Sequence, residues 1–245
     1  MKRPPRLYFA FRSPFSWMAL RRLEELYPQA ADTVEFRPFW EPDEDLLARL
    51  RAGGGEFPYT PMSKAKHLYI LYDTKRLAAS LGYTMSWPVD VDPWWEVPHL
   101  AWLYARRQGR EREFYRLVTE ARWERGENVC DPALVRELAA EAGLDGDAAA
   151  SAASDPDLRE EALAALHDLY QDDVFGVPYF RVGRHRFWGL DRLAAFLDVL
   201  DPREGDAARD GDARELPALA RVPVPAGAGV PEAVPLDSDS AGGCG

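Results

Sequence analysis

Cysteine is almost missing from this chain: of 245 residues only Cys130 and Cys244 carry a thiol. Two thiols cannot build a disulfide framework or a metal cluster, and a bridge between them would not persist in a reducing cytosol. Histidine is scarce too. His67, His99, His167 and His185 lack the spacing of a zinc site, so no metal is expected and each histidine is read as a surface or packing residue. No apolar run approaches the ~18 residues that suggest a membrane span. The start, Met1-Lys2-Arg3-Pro4-Pro5, is followed by no signal-like apolar stretch, since Leu7 to Phe11 is short and Arg12 ends it. The expectation is a cytoplasmic protein that avoids membranes. An excess of positive charge is also lacking, with 30 Lys and Arg against 41 Asp and Glu and a formal charge of −11. That balance excludes a nucleic-acid surface, which needs clustered cations to neutralise phosphates. The pairs Arg21-Arg22 and Arg106-Arg107 lie in helical patterns with acids nearby and read as solvated faces.

What is present is apolar: 47% of the residues are hydrophobic, enough for a chain of this length to bury a core of its own. The most informative stretch is Leu7 to Trp17. An apolar strand breaks on Ser13, and Pro14 opens an amphipathic helix. This puts a small hydroxyl at a helix N-terminus, where unpaired N–H groups and the macrodipole favour an anion or a thiolate. On local grounds alone Ser13 reads first as an ordinary N-cap with proline at the first helical position. Far downstream, residues 175 to 193 read as a proline-led strand (Tyr179 to Val182), a turn at Gly183, a second strand (His185 to Trp188) and a helix capped near Asp191. The Val177-Pro178 bond at that strand entrance is a candidate cis peptide.

Together these segments resemble the thioredoxin-fold, disulfide-oxidoreductase-like family, in the branch of 2-hydroxychromene-2-carboxylate isomerases and kappa-class glutathione transferases. There the redox Cys-x-x-Cys gives way to Ser-Pro-Tyr-Ser-Trp or a variant, here Ser13-Pro14-Phe15-Ser16-Trp17. Three further matches support the resemblance: Lys66-His67-Leu68-Tyr69 followed by Asp73 and Arg76, then Gly176-Val177-Pro178, and Phe187 to Leu193. The resemblance covers residues 7 to 200. It implies an α/β, thioredoxin-like fold with a large all-helical insertion: residues 1–41 and 172–202 form the thioredoxin-like part and residues 42–171 the inserted helical domain. The pattern gives a βαβ start with a helix over Phe15 to Tyr27 and a second strand over Thr33 to Phe39. The insertion reads as helices over Asp43 to Ala52, Ser63 to Leu81, Pro98 to Arg107, Glu111 to Arg125, Pro132 to Ala142 and Asp155 to Gln171. Its aromatic residues, among them Tyr59, Trp87, Trp94 and Trp102, either line an apolar wall for a planar substrate or simply pack helices.

Residues 203–245 have no aromatic residue, and twelve of the 43 are Gly or Pro. Such a segment buries too little to repay its ordering entropy and is expected to remain a flexible tail. It ends in Cys244-Gly245, chemically the same as the Cys-Gly end of glutathione.

With Ser13 and Ser16 where a dithiol would need cysteines, disulfide exchange at this site is excluded. A helix-end serine can still lower the pKa of a thiol brought from elsewhere by donating a hydrogen bond to its thiolate. The resemblance implies that this thiol is glutathione, bound by the backbone of Val177 beside Pro178 and near Asp191. Leu190 departs from the family, which usually has a polar residue there. The chain's own Cys244 is the alternative thiol, since a ~40-residue connector spans roughly 35 Å. Lys66 is the expected partner for a substrate carboxylate or enolate, and Trp17 an expected substrate contact. The leading expectation is an isomerase that adds a thiol reversibly to a conjugated, aromatic or polyenoic C=C bond, in degradation or natural-product assembly. The substrate is then a free small molecule or one borne by a carrier protein. A kappa-like glutathione transferase and a redox-dead thioredoxin-like binding module remain alternatives, and a homodimer is a family expectation.

Overall fold

The computed structural model describes residues 3–58 and 62–200. The expected tail, Cys244 and Tyr59 lie outside these residues. A four-stranded sheet has the order β2-β1-β3-β4, from β1 (Arg6–Phe9), β2 (Glu35–Pro38), β3 (Tyr179–Val182) and β4 (His185–Trp188). Strand β1 pairs in parallel with β2 and antiparallel with β3, which pairs antiparallel with β4. The parallel pair needs a crossover, supplied by α1 (Pro14–Leu26) and α2 (Pro28–Thr33). Between β2 and β3 come α3 (Glu44–Ala52), α4 (Lys64–Ser80), α5 (Glu96–Arg107), α6 (Glu111–Trp123), α7 (Pro132–Glu141), α8 (Gly146–Ser151) and α9 (Pro156–Gln171). The last element of the described residues is α10 (Leu193–Leu200).

Three helix starts share one chemical device. Ser13, Asp131 and Asp155 each stand in extended backbone before a proline and accept a hydrogen bond from an N–H of the first turn. Proline costs nothing there, because that first-turn N–H has no partner inside the helix. Two short helices escape the sequence pattern. Helix α2 has no side-chain cap, and α8 begins on Gly146, where a Cβ would meet the Arg136 carbonyl oxygen at 2.6 Å. Glycine thus marks a close helix approach at that position, in a stretch to which the sequence pattern assigned no element. Helix α5 starts at Glu96 and not at Pro98 as the sequence suggested; a proline within the first turn displaces no helical hydrogen bond. The cap expected at Asp191 is replaced by a 3-10 turn over Leu190–Arg192, with no side-chain hydrogen bond at its start.

The two faces of the sheet differ. On one, Leu7, Phe36 and Phe180 are buried and in register. Phe180 stacks on Phe196 of α10 with ring centres 4.9 Å apart, and Phe9 is met edge-on by Trp102 and Tyr115 from α5 and α6. Sheet and helical insertion therefore share one apolar core. The other face carries Glu35, Arg6, Arg181 and Arg186 in one row and Arg37, Tyr8, Tyr179 and Trp188 in the next. Like charges directly opposite each other repel, and two carboxylates that follow α9 offset them. Asp172 accepts hydrogen bonds from Arg6, Tyr8 and Arg181, and Asp173 pairs with Arg186 at 2.7 Å.

Candidate active site

Strand β1 ends at Phe9, and the next four residues deliver Ser13 to the start of α1. The backbone N–H of Phe11 donates to His99 Nε2 at 3.3 Å, and the Phe11 carbonyl accepts from Trp123 Nε1 at 3.1 Å. His99 Nδ1 lies 2.7 Å from the Trp95 carbonyl, which fixes a neutral ring with its proton on Nδ1. Complete burial drives the His99 pKa down to about 3, with the Arg122 charge adding to that and the Trp95 hydrogen bond opposing it. His99 is therefore a permanent acceptor that holds the approach to Ser13.

Ser13 itself is buried. Its Oγ accepts from the Ser16 N–H at 3.2 Å and donates to the Val177 carbonyl at 3.5 Å. Ser16 turns its own Oγ back to the Ala10 N–H, at 3.3 Å. The 3.5 Å contact is longer than the usual O–H···O bond, so the hydroxyl is weakly committed to it. The Val177–Pro178 peptide bond is cis. Val177 is buried in a small second core with Tyr8, Ala10, Phe39 and Tyr179, and the Pro178 carbonyl accepts from Gly189 N at 2.9 Å. Gly176 lies under Trp188, so that a Cβ there would stand 2.8 Å from Trp188 Nε1.

The remaining candidates separate. Trp17 is buried in the core, 5.7 Å from Tyr83 and 6.4 Å from Trp123 between ring centres; its ring packs the fold and does not face open space. Lys66 is exposed in the first turn of α4, while Asp73 and Arg76 of the same motif pair with each other at 2.7 Å. Asp191 is exposed and pairs with Arg192 at 2.6 Å. Cys130 is buried, and desolvation pushes its thiol up to about 12, which leaves it a thiol at neutral pH. Among the described residues no group of three or more His, Cys, Asp or Glu could hold a metal, and no helix is long and apolar enough to cross a membrane.

Some residues of this region carry no local sequence signal. Arg122 is buried, sandwiched between Trp95 and Trp123 with its carbon 4.8 Å from each ring centre, and bound to Asp90 by two hydrogen bonds of 2.8 Å. Arg12 also lies over Trp95, 5.7 Å from its ring centre. Glu96 is buried, and desolvation raises its pKa to about 7 although Asp43 N and Trp40 Nε1 donate to it. Trp87 is partly exposed and meets Trp123 at 5.5 Å and His67 at 6.4 Å.

Residues 6–201 match the DSBA-like thioredoxin domain. The chain belongs to the DSBA-like thioredoxin family. Within it, a 2-hydroxychromene-2-carboxylate isomerase of Sphingobium xenophagum is 31% identical over 191 residues, covering 76% of this chain and 92% of the relative. Another, from Pseudomonas putida, is 28% identical over 191 residues, covering 76% and 88%. The solved structure of a 2-hydroxychromene-2-carboxylate isomerase superposes with a TM-score of 0.64 at 23% identity, covering 84% of this chain and 98% of that one. Ser13 and Ser16 stand at the start of α1 in this chain, where a dithiol would need cysteines.

Proposed function

We propose that this protein is a cis–trans isomerase of a conjugated C=C bond in an aromatic or polyenoic substrate and works with a thiol bound at Ser13. The observation that carries this reading is the Ser13 hydroxyl at the N-terminus of α1, aimed at the carbonyl before a cis proline. The relatives named as isomerases support it. The polar groups support glutathione as that thiol: a helix-end hydroxyl to donate to its sulfur, the Val177 backbone to pair with its own backbone, and the exposed Asp191 carboxylate, which now pairs with Arg192, to accept from its ammonium group. A terminal Cys244 offers the same sulfur and the same Cys-Gly end.

A bound thiol supplies reversible addition to the conjugated bond, which makes it single and free to rotate. The chain's own contribution is electrostatic and positional. Ser13 is buried, so a ligand reaches its hydroxyl only when neighbouring groups move aside and the long contact to Val177 gives way. The hydroxyl then donates to an anionic sulfur, and the positive end of α1 lowers the pKa of that thiol. Lys66, exposed on α4, is suited to hold a carboxylate or a developing enolate, and Trp87, which meets the neighbouring His67, offers a partly exposed aromatic face.

Incubation of the pure protein in the dark with a benzylidene pyruvate, with and without glutathione, tests this reading by chromatography of the two isomers. Isomer interconversion without net thiol consumption supports it. Accumulation of a thiol conjugate would instead favour a kappa-like transferase. The complete burial of Ser13 favours one second reading, a redox-dead binding module in which Ser13 only caps α1. Such a module would catalyse nothing and would bind its partner equally well after Ser13→Ala.

A further inference from the structure

The basic patch that the sequence lacks is assembled by the fold. Arg6, Arg181 and Arg186 stand side by side across three strands, Arg184 is exposed at the hairpin tip and Arg3 is exposed beside β1. Asp172 is buried beneath the row and already shared among Arg6, Tyr8 and Arg181. Two further acids flank the row, Glu35 against the buried Arg6 and Asp173 against Arg186; five arginines thus face three carboxylates, and no acid occurs between residues 174 and 190. In a chain of net charge −11 this edge is locally positive.

The same edge is aromatic. Phe175 is 55% and Trp188 41% exposed, with ring centres 5.0 Å apart, and Tyr170 at the end of α9 is 44% exposed. Exposed aromatic rings beside arginines are the composition of a binding hot spot. Strand β4 ends the sheet order, and Trp188 lies against Gly176, next to Val177. Whatever covers this surface therefore sits beside the residues that face Ser13.

We infer that the Phe175–Trp188 edge, with Arg184 and Arg186, docks an acidic protein that presents the substrate to the Ser13 site as a covalently carried group. The inference rests on the isomerase reading for what is carried, but not for the docking itself. Charge selects the partner. A second copy packed with its two-fold axis passing through Arg184 and Arg186 would bring the two sets of arginines together, whereas an acidic surface would be steered to them and then desolvate the two rings.

The test is calorimetric titration of the full chain with an acyl carrier domain bearing an unloaded pantetheine arm, at two salt concentrations. Binding is expected to weaken with salt and to weaken at least tenfold in Arg184→Glu/Arg186→Glu. Trp188→Ala is expected to weaken it as well, and Arg186→Lys to retain it. Turnover of a free benzylidene pyruvate should be unchanged in the charge-reversed protein, since none of these residues touches the reacting bond. No binding, binding indifferent to charge reversal, or a dimer of this chain abolished by the same reversal would overturn the docking surface. If the carrier domain binds and no conjugated substrate is isomerised, docking stands and the isomerase reading fails. If the free substrate is isomerised and the carrier domain does not bind, the isomerase reading stands and the docking surface fails.

Discussion

Ser13 and Val177 meet hydroxyl to carbonyl across 3.5 Å, and each is delivered by a different strand of one antiparallel pair. Strand β1 leads into Ser13 and β3 follows Val177, and the two strands pair from Arg6↔Arg181 to Tyr8↔Tyr179. The site is thus a property of strand pairing, and changes that disturb the β1–β3 register should disturb it at a distance.

Gly176→Ala is one such change. The new methyl would lie 2.8 Å from Trp188 Nε1, so either the indole or the loop before Pro178 must shift. Overpacking of this kind costs about 1–3 kcal/mol. Denaturant titration should show that loss, and adding Trp188→Ala should recover part of it, making the pair less than additive.

Asp172→Asn removes the anion under the arginine row. Burial alone would raise the Asp172 pKa, but hydrogen bonds from Tyr8 and Arg6, with the charges of Arg6 and Arg181, outweigh it and hold the pKa below the ordinary 3.8. A carboxyl with a lowered folded-state pKa gives its full stabilisation above its unfolded value and loses it as pH falls through the folded one. Acid unfolding below about pH 4 should therefore include an Asp172 component. The variant should lose about 3–5 kcal/mol at neutral pH and show a flatter stability profile in that acid window. Urea melts at stepped pH measure both.

His99 predicts a different window. Its folded-state pKa is pushed from 6.5 to about 3, so the unfolded chain takes up a proton first and stability falls as pH drops from the upper value toward the lower. His99→Gln should remove that slope. Turnover should change little in that variant, whose amide oxygen can still accept from the Phe11 N–H, and should fall in His99→Leu, which offers it no acceptor; pH-stepped melts and a rate measurement report the two effects separately.

Cysteine labelling separates the two thiols. Cys130 is buried with its pKa raised to about 12, so a thiol reagent at neutral pH should leave it unmodified in the folded protein and modify it in urea. If Cys244 is the thiol that serves the site, Cys244→Ser should abolish turnover without glutathione and added glutathione should restore it. Full turnover of that variant in the absence of any thiol would eliminate Cys244 from the chemistry.

Much of the fold was legible because its signals are local. A cap followed by proline marks α1, α7 and α9, and the strands around Gly183 declare themselves by apolar residues on either side of a turn. The Ser13 and Pro178 motifs were legible for the same reason. What stayed hidden depends on register and burial. Arg6, Arg181 and Arg186 become neighbours only when β1, β3 and β4 pair. Trp17 looked like a substrate contact from its place in the motif, yet its helical face turns it toward Tyr83 and Trp123. Asp191 sits where a cap is expected, but the positive φ of 100° at Gly189 turns the chain so that a 3-10 turn precedes α10. His99 gave no signal at all, because an isolated histidine in a helix does not announce which backbone N–H it will meet.

The most direct test is the dark isomerisation rate of Ser13→Ala in the presence of excess glutathione, beside a denaturant titration of the same variant. Loss of the cap costs about 1 kcal/mol of stability, and loss of a hydroxyl that stabilises an anionic sulfur lowers the rate by about 10²-fold. Both together are the predicted result. A variant that is destabilised by that amount but isomerises its substrate at the unaltered rate would show that Ser13 caps a helix and nothing more.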